Sequence, residues 1–77
     1  MEKITVGAVV LATAGRESGS KFVVVKDLNT RQVLIADGRR RKIGAPKRKS
    51  RKHLQYLGSL AAVPETDRLI RQSLSSF

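Results

Sequence analysis

The chain has 77 residues, no cysteine, 40% hydrophobic residues and a formal net charge of +10. This length predicts one small domain, and the lack of cysteine excludes disulfides and thiolate metal sites. The hydrophobic content is too high for a fully disordered chain, and no apolar run approaches the roughly 20 residues of a membrane-spanning helix.

The first three residues, Met1-Glu2-Lys3, do not resemble a targeting signal. They lack the net positive charge that opens a signal peptide, and N-myristoylation needs glycine in second place. We therefore expect a soluble, cytoplasmic protein that does not bind membranes.

The first half of the chain has the pattern of a small β protein. Apolar or β-branched runs occupy residues 4–12, 22–25 and 32–36, and polar turns at 14–20 and 27–30 separate them. Short strands at roughly ten-residue spacing are typical of a sandwich or a small barrel. We favour a barrel, because closure removes the exposed edges of a flat sheet.

The dipeptide Asp37-Gly38 predicts a hairpin after the third strand. A two-residue loop would pair Ala36 with Arg39, so the following segment would begin as a strand. Ile43 should then point inward, which places Arg39 and Arg41 on the same face at high cost. We therefore expect this strand to be short or bulged, with its arginines beyond the core.

The end of the chain predicts one more strand and a helix. Residues 53–60 alternate well enough for a strand, and Pro64 suits the first position of a helix. Val63, Ile70, Leu74 and Phe77 would then form one helical stripe that docks on the barrel or a partner. The predicted organisation is therefore a barrel over residues 1–63 and a C-terminal helix over 64–77.

The residues needed for catalysis or metal binding are missing or occur once. His53 is the only histidine, there is no cysteine, and the six acids form no pair spaced to share a proton or a metal. The spacing from Gly15 to Gly19 lacks the Gly-Lys-Ser/Thr of a phosphate-binding loop. We expect a protein with no catalytic residues, no metal and no cofactor.

Positive charge is concentrated in residues 39–53, here named the basic window. It holds nine of the sixteen bases and no acid, so the rest of the chain carries a net charge of only about +1. Such a local field attracts a polyanion. The bases are Arg39, Arg40, Arg41, Lys42, Lys47, Arg48, Lys49, Arg51 and Lys52.

The basic window is open to several interpretations. It can be a solvated loop, although uncompensated charges repel each other, or a nuclear import signal. Membrane binding is disfavoured because the window lacks a bulky apolar face and because Gly44 and Pro46 interrupt a helix. Nucleic acid is the favoured partner, since arginine binds phosphate in a bidentate manner and lysine adds point charges.

The type of nucleic acid is suggested by what the chain lacks. There is no recognition-helix pattern, zinc finger or basic zipper, and the three aromatic residues are dispersed. This favours recognition of backbone and shape, as in structured RNA. His53 and Tyr56 can each stack on a base, and the alternative for both is burial in the last strand, which we favour for Tyr56.

Residues 6–25, VGAVVLATAGRESGSKFVVV, resemble a KOW motif, in which two strands are joined by a loop around a central glycine, here Gly19. The resemblance continues through VLIADG at 33–38, PKRK at 46–49 and KHLQ at 52–55. Over residues 4–57 the chain is similar to the small KOW-domain RNA-binding proteins of Firmicutes bacteria. Those proteins are related to KOW-bearing large-subunit ribosomal proteins of eukaryotes and archaea.

The resemblance implies an SH3-like barrel that binds RNA on the ribosome, with Gly15 and Gly19 in the motif loop. One departure is that Ser18 and Ser20 stand where the loop often carries a base beside its glycine. Arg16 and Lys21 are therefore the only bases of this loop. The C-terminal helix lies outside the similar region and inherits no role from it.

The resulting hypothesis is a mainly β, SH3-like barrel with a short C-terminal α-helix that binds RNA, ribosomal RNA in particular, without catalysis. Ribosomal proteins are a second expected kind of partner, and no small-molecule substrate is expected. The alternative is a KOW module for protein interaction in transcription and translation coupling. The expected phosphate contacts are the nine bases of the basic window, with His53 beside them and Arg16 and Lys21 extending the surface.

Overall fold

The computed structural model describes residues 4–77, so the expectation for the first three residues lies outside it. Five antiparallel strands form one sheet in the order β4-β3-β2-β1-β5, and one C-terminal helix follows. The predicted mainly β domain with a C-terminal helix is confirmed. The elements are β1 (Ala8–Ala12), β2 (Lys21–Asp27), β3 (Gln32–Ala36), β4 (Lys47–Ser50), a 3₁₀ turn (Arg51–His53), β5 (Leu54–Ser59) and α1 (Asp67–Leu74).

The sheet has two register irregularities, with one extra residue in β5 and one in β2. The register of β1 against β5 shifts between Val9 and Val10, and that of β2 against β3 shifts between Val24 and Lys26. Such bulges increase the local bend and twist of a sheet. β4 and β5 form its two edges, since pairing between them is not found within residues 4–77.

The main core lies on one face of this bent sheet. Alternate residues of the strands point into it, as expected from the period of two in a β-strand. Phe22 supplies the largest fully buried side chain, and Ile4 packs against the cluster from outside. The buried members are Ala8, Val10, Ala12, Phe22, Val24, Val33, Ile35 and Leu54.

A second cluster lies on the opposite face of the sheet, under α1. Val9, Val23 and Ala36 are fully buried there against Ile70 of the helix. Both faces of β1 and β2 are therefore covered, which explains why their sequences are apolar at almost every step. Five half-buried residues surround the cluster: Val25, Ile43, Leu57, Leu60 and Leu74.

The helix begins three residues after the predicted start. Thr66 is the N-cap, and its side chain accepts a hydrogen bond from the main-chain N–H of Leu69 at 3.1 Å. A hydroxyl that caps the first turn in this way favours a start after it, so Pro64 precedes the helix. Of the predicted stripe, Ile70 and Leu74 face the sheet, whereas Val63 and Phe77 lie outside the helix.

The predicted two-residue hairpin at Asp37-Gly38 is wrong. Strand β3 pairs with β4, with Ile35 opposite Lys47, so residues 37–46 form a longer connection, here named the basic loop. The Asp37 carboxylate accepts main-chain N–H groups of Arg39 and Arg41, each at 2.9 Å, which folds the chain back on itself. Arg39 and Arg41 therefore lie in a loop and not on a core face.

A strand of the basic window does pair with β3, but it begins at Lys47 and not at Arg39 as predicted. The other strands match predicted runs, although β1 begins at Ala8, after Gly7 with φ +93°. A φ of this sign favours glycine and interrupts an extended strand. Within residues 4–77, no helix combines the length and the apolar character needed to cross a membrane.

Replacing Ile70 tests whether α1 is part of the core. Ile70→Ala removes a fully buried side chain and should lower the free energy of unfolding by about 3 kcal/mol, measured by chemical denaturation. Leu69→Ala, at a neighbouring position that is 46% exposed, should cost less than about 0.5 kcal/mol. Equal effects of the two substitutions would contradict a helix packed through Ile70. Ile70→Val, at about 1 kcal/mol, serves if the alanine variant does not fold.

Candidate nucleic-acid interface

The nine bases of the basic window lie on three consecutive elements. Residues 39–42 are in the basic loop, 47–49 are on β4, and 51 and 52 are in the 3₁₀ turn. Since β4 is an edge strand, all three elements border one side of the sheet. The structure thus brings the predicted bases together, but their side chains have different environments.

Three of these bases surround the carboxylate of Glu17. The guanidinium of Arg41 donates to Glu17 Oε2 at 2.9 Å, and the ammonium groups of Lys47 and Lys49 each lie 3.8 Å from a carboxylate oxygen. The Glu17 side chain is only 12% exposed. One negative charge is shared by three positive charges, so the group keeps a positive excess.

The charge on Glu17 is stabilised by these neighbours. The hydrogen bond from Arg41 holds the pKa of the Glu17 carboxyl below its ordinary value of 4.5, and the charge of Lys47 acts in the same direction. Partial burial acts in the opposite direction but is outweighed. Glu17 is therefore ionised at neutral pH and links three elements, which sequence reasoning did not find.

The loop that carries Glu17 also contacts β4 directly. We name residues 13–20 the glycine loop; within it Gly15 and Gly19 have φ of +82° and +90°. Lys49 donates to the main-chain carbonyl of Ala14 at 2.8 Å. A Cβ on Gly15 would lie 2.9 Å from Lys49 Nζ, the end of a flexible side chain, so glycine is favoured here mainly by its positive φ.

Arg51, which follows the other end of β4, is held by several hydrogen bonds and an ion pair. Its guanidinium donates to the Asp27 carboxylate at 3.0 Å and to the main-chain carbonyls of Asn29 and Thr30 at 3.0 and 3.2 Å. It also donates to the carbonyl of Ile4. With 12% of its side chain exposed, Arg51 joins the 3₁₀ turn to the β2–β3 turn and directs little of its charge outward.

Five bases of the window remain exposed to solvent. They lie in the basic loop, on β4 and in the 3₁₀ turn, and none forms an ion pair with a carboxylate of residues 4–77. Exposed bases can approach phosphate oxygens without breaking an existing contact. The five are Arg39, Arg40, Lys42, Arg48 and Lys52.

The two bases predicted at the motif loop have different contacts. Arg16 lies in the glycine loop and Lys21 begins β2; both are exposed, but Lys21 donates from Nζ to the main-chain oxygen of Phe77. The ring of Phe77 packs on Gly58 of β5, where a Cβ would lie 2.5 Å from the ring. Lys21 is therefore engaged in holding the C-terminal segment, and Arg16 is the exposed base of this loop.

Of the two candidate stacking residues, His53 ends the 3₁₀ turn and Tyr56 lies in β5. His53 is half-buried, and its carbonyl accepts the N–H of Thr13 at 2.8 Å. Tyr56 is 36% exposed, and its hydroxyl is hydrogen-bonded to Ser59 Oγ at 2.7 Å. The expected burial of Tyr56 is wrong, because the tyrosine lies outside both apolar clusters.

Residues of the glycine loop and of the basic loop line a common cavity of about 350 Å³. Arg39, Arg40 and Arg41 belong to the basic loop, and Glu17 and Ser20 belong to the glycine loop.

No protein-family model matches the chain, and no curated protein matches it significantly. Function is therefore inferred from charge and geometry.

Glu17→Gln should lower stability in a pH-dependent manner. Because its pKa is lowered in the folded state, the Glu17 carboxylate stabilises the fold above about pH 4.5 and ceases to do so as the pH falls through the folded-state pKa. Thermal unfolding at pH 7 should show a loss of up to about 1 kcal/mol, the range of partly exposed ion pairs. The difference from the unsubstituted protein should shrink towards pH 3.

Glu65→Gln is the matched control, because Glu65 is exposed and forms no ion pair within residues 4–77. It removes the same charge without the same contacts and should leave the stability nearly unchanged between pH 3 and pH 7. A loss for Glu17→Gln that stays constant over this range would show that the ionised carboxylate is not the cause.

Proposed function

We propose that this chain is a cytoplasmic, non-catalytic RNA-binding protein that associates with ribosomal RNA through its phosphate backbone. The observation that carries the proposal is the set of five exposed window bases without a carboxylate partner in residues 4–77. Phosphate oxygens would supply the missing counter-charge, and several contacts along one backbone would add.

The carboxylates near the basic window do not neutralise its exposed bases, and this supports a polyanionic partner. Glu17, Asp27 and Asp37 all contact the basic loop, β4 or the 3₁₀ turn. Each uses its oxygens on main-chain N–H groups or on bases that hold elements together. They shape the segment and leave its outward bases uncompensated, which costs stability in the free protein and favours a partner of opposite sign.

The helix supports RNA over a DNA groove as the target. It has eight residues, and its buried residue, Ile70, faces the sheet. Its single base in the last turn, Arg71, donates to the carbonyl of Gly38. A helix engaged in this way does not fit the role of a recognition helix, whereas loops and an edge strand suit backbone and shape recognition.

We include in the same proposal that the fold is an SH3-like barrel. The strand order, the bulges in β5 and β2, and the three-residue 3₁₀ turn between β4 and β5 fit an SH3-like barrel of the KOW kind. The positive φ of Gly15 and Gly19 fits a motif loop around glycine. In this interpretation the glycine loop is the loop of the KOW motif. The basic loop lies beside it, and both loops would contact one RNA.

The salt dependence of RNA binding tests the electrostatic part of the proposal. With Arg16 added to the five exposed window bases, about six phosphate contacts predict a slope of log affinity against log salt near −4 for single-stranded RNA and near −5 for duplex. Fluorescence anisotropy with a labelled RNA stem-loop measures it. A slope near zero, or no binding at low salt, would contradict the proposal and leave the protein-interaction alternative.

A matched pair of triple variants tests whether the basic loop is the contact. Replacing Arg39, Arg40 and Lys42 with glutamine should weaken binding at least about tenfold and reduce the magnitude of the slope by about two. Replacing Lys26, Arg31 and Arg68 with glutamine removes the same charge from exposed positions outside the basic window. This control triple should change the affinity for RNA far less. Equal losses in both triples would point to net charge and not to a defined surface.

Crosslinking in cells, followed by sequencing of the bound RNA, tests the ribosomal part. We expect enrichment of a defined ribosomal RNA helix for the unsubstituted protein and loss of that enrichment in the basic-loop triple variant. An even distribution over all transcripts would contradict association with ribosomal RNA. It would remain compatible with backbone binding.

A further inference from the structure

Helix α1 holds the basic loop at both ends of its first basic run. The N–H of Ile43 donates to the Asp67 carboxylate at 2.7 Å, and Arg71 donates from Nη1 to the carbonyl of Gly38, also at 2.7 Å. The side chain of Ile43 packs against the apolar cluster that contains Ile70. Two points of the loop are therefore attached to one helix.

The contact at Gly38 is a close approach of two backbones. Gly38 is buried, has φ +78°, and a Cβ built on it would lie 2.4 Å from the carbonyl oxygen of Asp67 and 2.9 Å from a carbon of the Arg71 side chain. A side chain at this position would force the loop away from the helix. By contrast, Gly44 in the same loop has no atom within 4 Å of such a Cβ.

Four consecutive bases, residues 39–42, lie between the two attached positions, Gly38 and Ile43. Asp37 closes the loop from within, since its carboxylate accepts the N–H groups of Arg39 and Arg41 and its own N–H donates to the Arg41 carbonyl at 2.9 Å. Without such contacts, repulsion among four adjacent like charges would extend and disorder the segment.

We propose that α1 preorganises the basic loop for RNA and that Asp67 is a positioning residue for this interface. The inference rests on the proposed function, because it assigns how the bases of that site are held. The cost of ordering the loop is met when the protein folds, so less of the phosphate binding energy is lost on binding. The C-terminal helix thereby acts in recognition without touching the RNA.

Replacing Asp67 distinguishes an effect of loop ordering from an effect of net charge, because the two change RNA affinity in opposite directions. Removing a carboxylate raises the net charge by one, so electrostatics alone predicts that Asp67→Ala binds RNA more tightly. Loss of loop ordering predicts the opposite. Asp67→Asn carries the same charge as Asp67→Ala but keeps an oxygen that can accept the N–H of Ile43.

The test compares these two variants in binding a synthetic RNA stem-loop. We expect Asp67→Ala to bind about threefold to tenfold more weakly than Asp67→Asn, with an unchanged salt slope because all bases remain. Asp67→Asn should bind at least as well as the unsubstituted protein. Amide hydrogen exchange at Ile43 should accelerate in Asp67→Ala and not in Asp67→Asn, while exchange at Val23 in β2 stays slow in both.

A second pair covers the case in which Asp67→Ala does not fold. Gly38→Ala and Gly44→Ala make the same substitution in the same loop without changing charge. Only the first forces the loop off the helix, so only it should weaken binding to the stem-loop.

The outcomes separate the two proposals. Equal affinities of Asp67→Ala and Asp67→Asn, or of Gly38→Ala and Gly44→Ala, together with tight binding by the unsubstituted protein, would overturn preorganisation by α1 and leave RNA binding intact. Failure of the unsubstituted protein to bind the stem-loop at low salt would overturn the proposed function and, with it, this inference.

Discussion

The structure depends on covering both faces of the hairpin formed by β1 and β2. One face lies in the main core, and the other carries Val9 and Val23, which would be exposed without a second layer. A chain of this length cannot form two independent cores, so one short helix covers the outer face through Ile70. Eight helical residues are marginal alone, and the packing stabilises helix and sheet together.

The position of the helix has a consequence for the charged side of the molecule. Covering the outer face brings the start of α1 against the end of β3, where Gly38 meets the Asp67 carbonyl. The polar groups of Asp67 and Arg71 then meet the backbone of the basic loop. Packing of apolar residues and ordering of a charged loop are thus properties of one interface.

Acids are used in this fold mainly to hold basic segments in place. Four of the five acids in residues 4–77 contact the basic window: Glu17 and Asp27 through side-chain ion pairs, and Asp37 and Asp67 through main-chain N–H groups. A carboxylate bound to main-chain N–H groups shapes a loop while it leaves the neighbouring side chains free to face solvent. The local charge therefore stays high although the loop is ordered.

The sequence predicted the elements whose cause is local. Runs such as FVVV and VLIA favour strands by themselves, and β2 and β3 include them. Strand β4 reads KRKS and has no apolar alternation, so its extended form depends on pairing with Val33 and Leu34 of β3. The helix start was missed because proline at 64 is compatible with a helix, whereas the cap at Thr66 decides it.

The candidate site also has features that could be predicted from the sequence and features that could not. The clustering of bases and their exposure at Arg39, Arg40 and Lys42 could be predicted, since a charged run without apolar residues lies at the surface. The role of Glu17 could not, because Arg41 and Lys49 lie 24 and 32 residues away along the chain and meet it only in the folded sheet.

A count of bases therefore overstates the contacts available to a phosphate backbone. Arg41, Lys47 and Lys49 share Glu17, and Arg51 is bonded to Asp27 and main-chain carbonyls. A phosphate that took over these four bases would have to displace groups that connect the glycine loop, β4 and the β2–β3 turn. The five exposed bases of the basic window form no ion pair of this kind within residues 4–77. The fold thus separates bases that maintain the structure from bases that can bind a phosphate backbone. Only for the second group should added salt weaken the contacts without changing the stability of the fold.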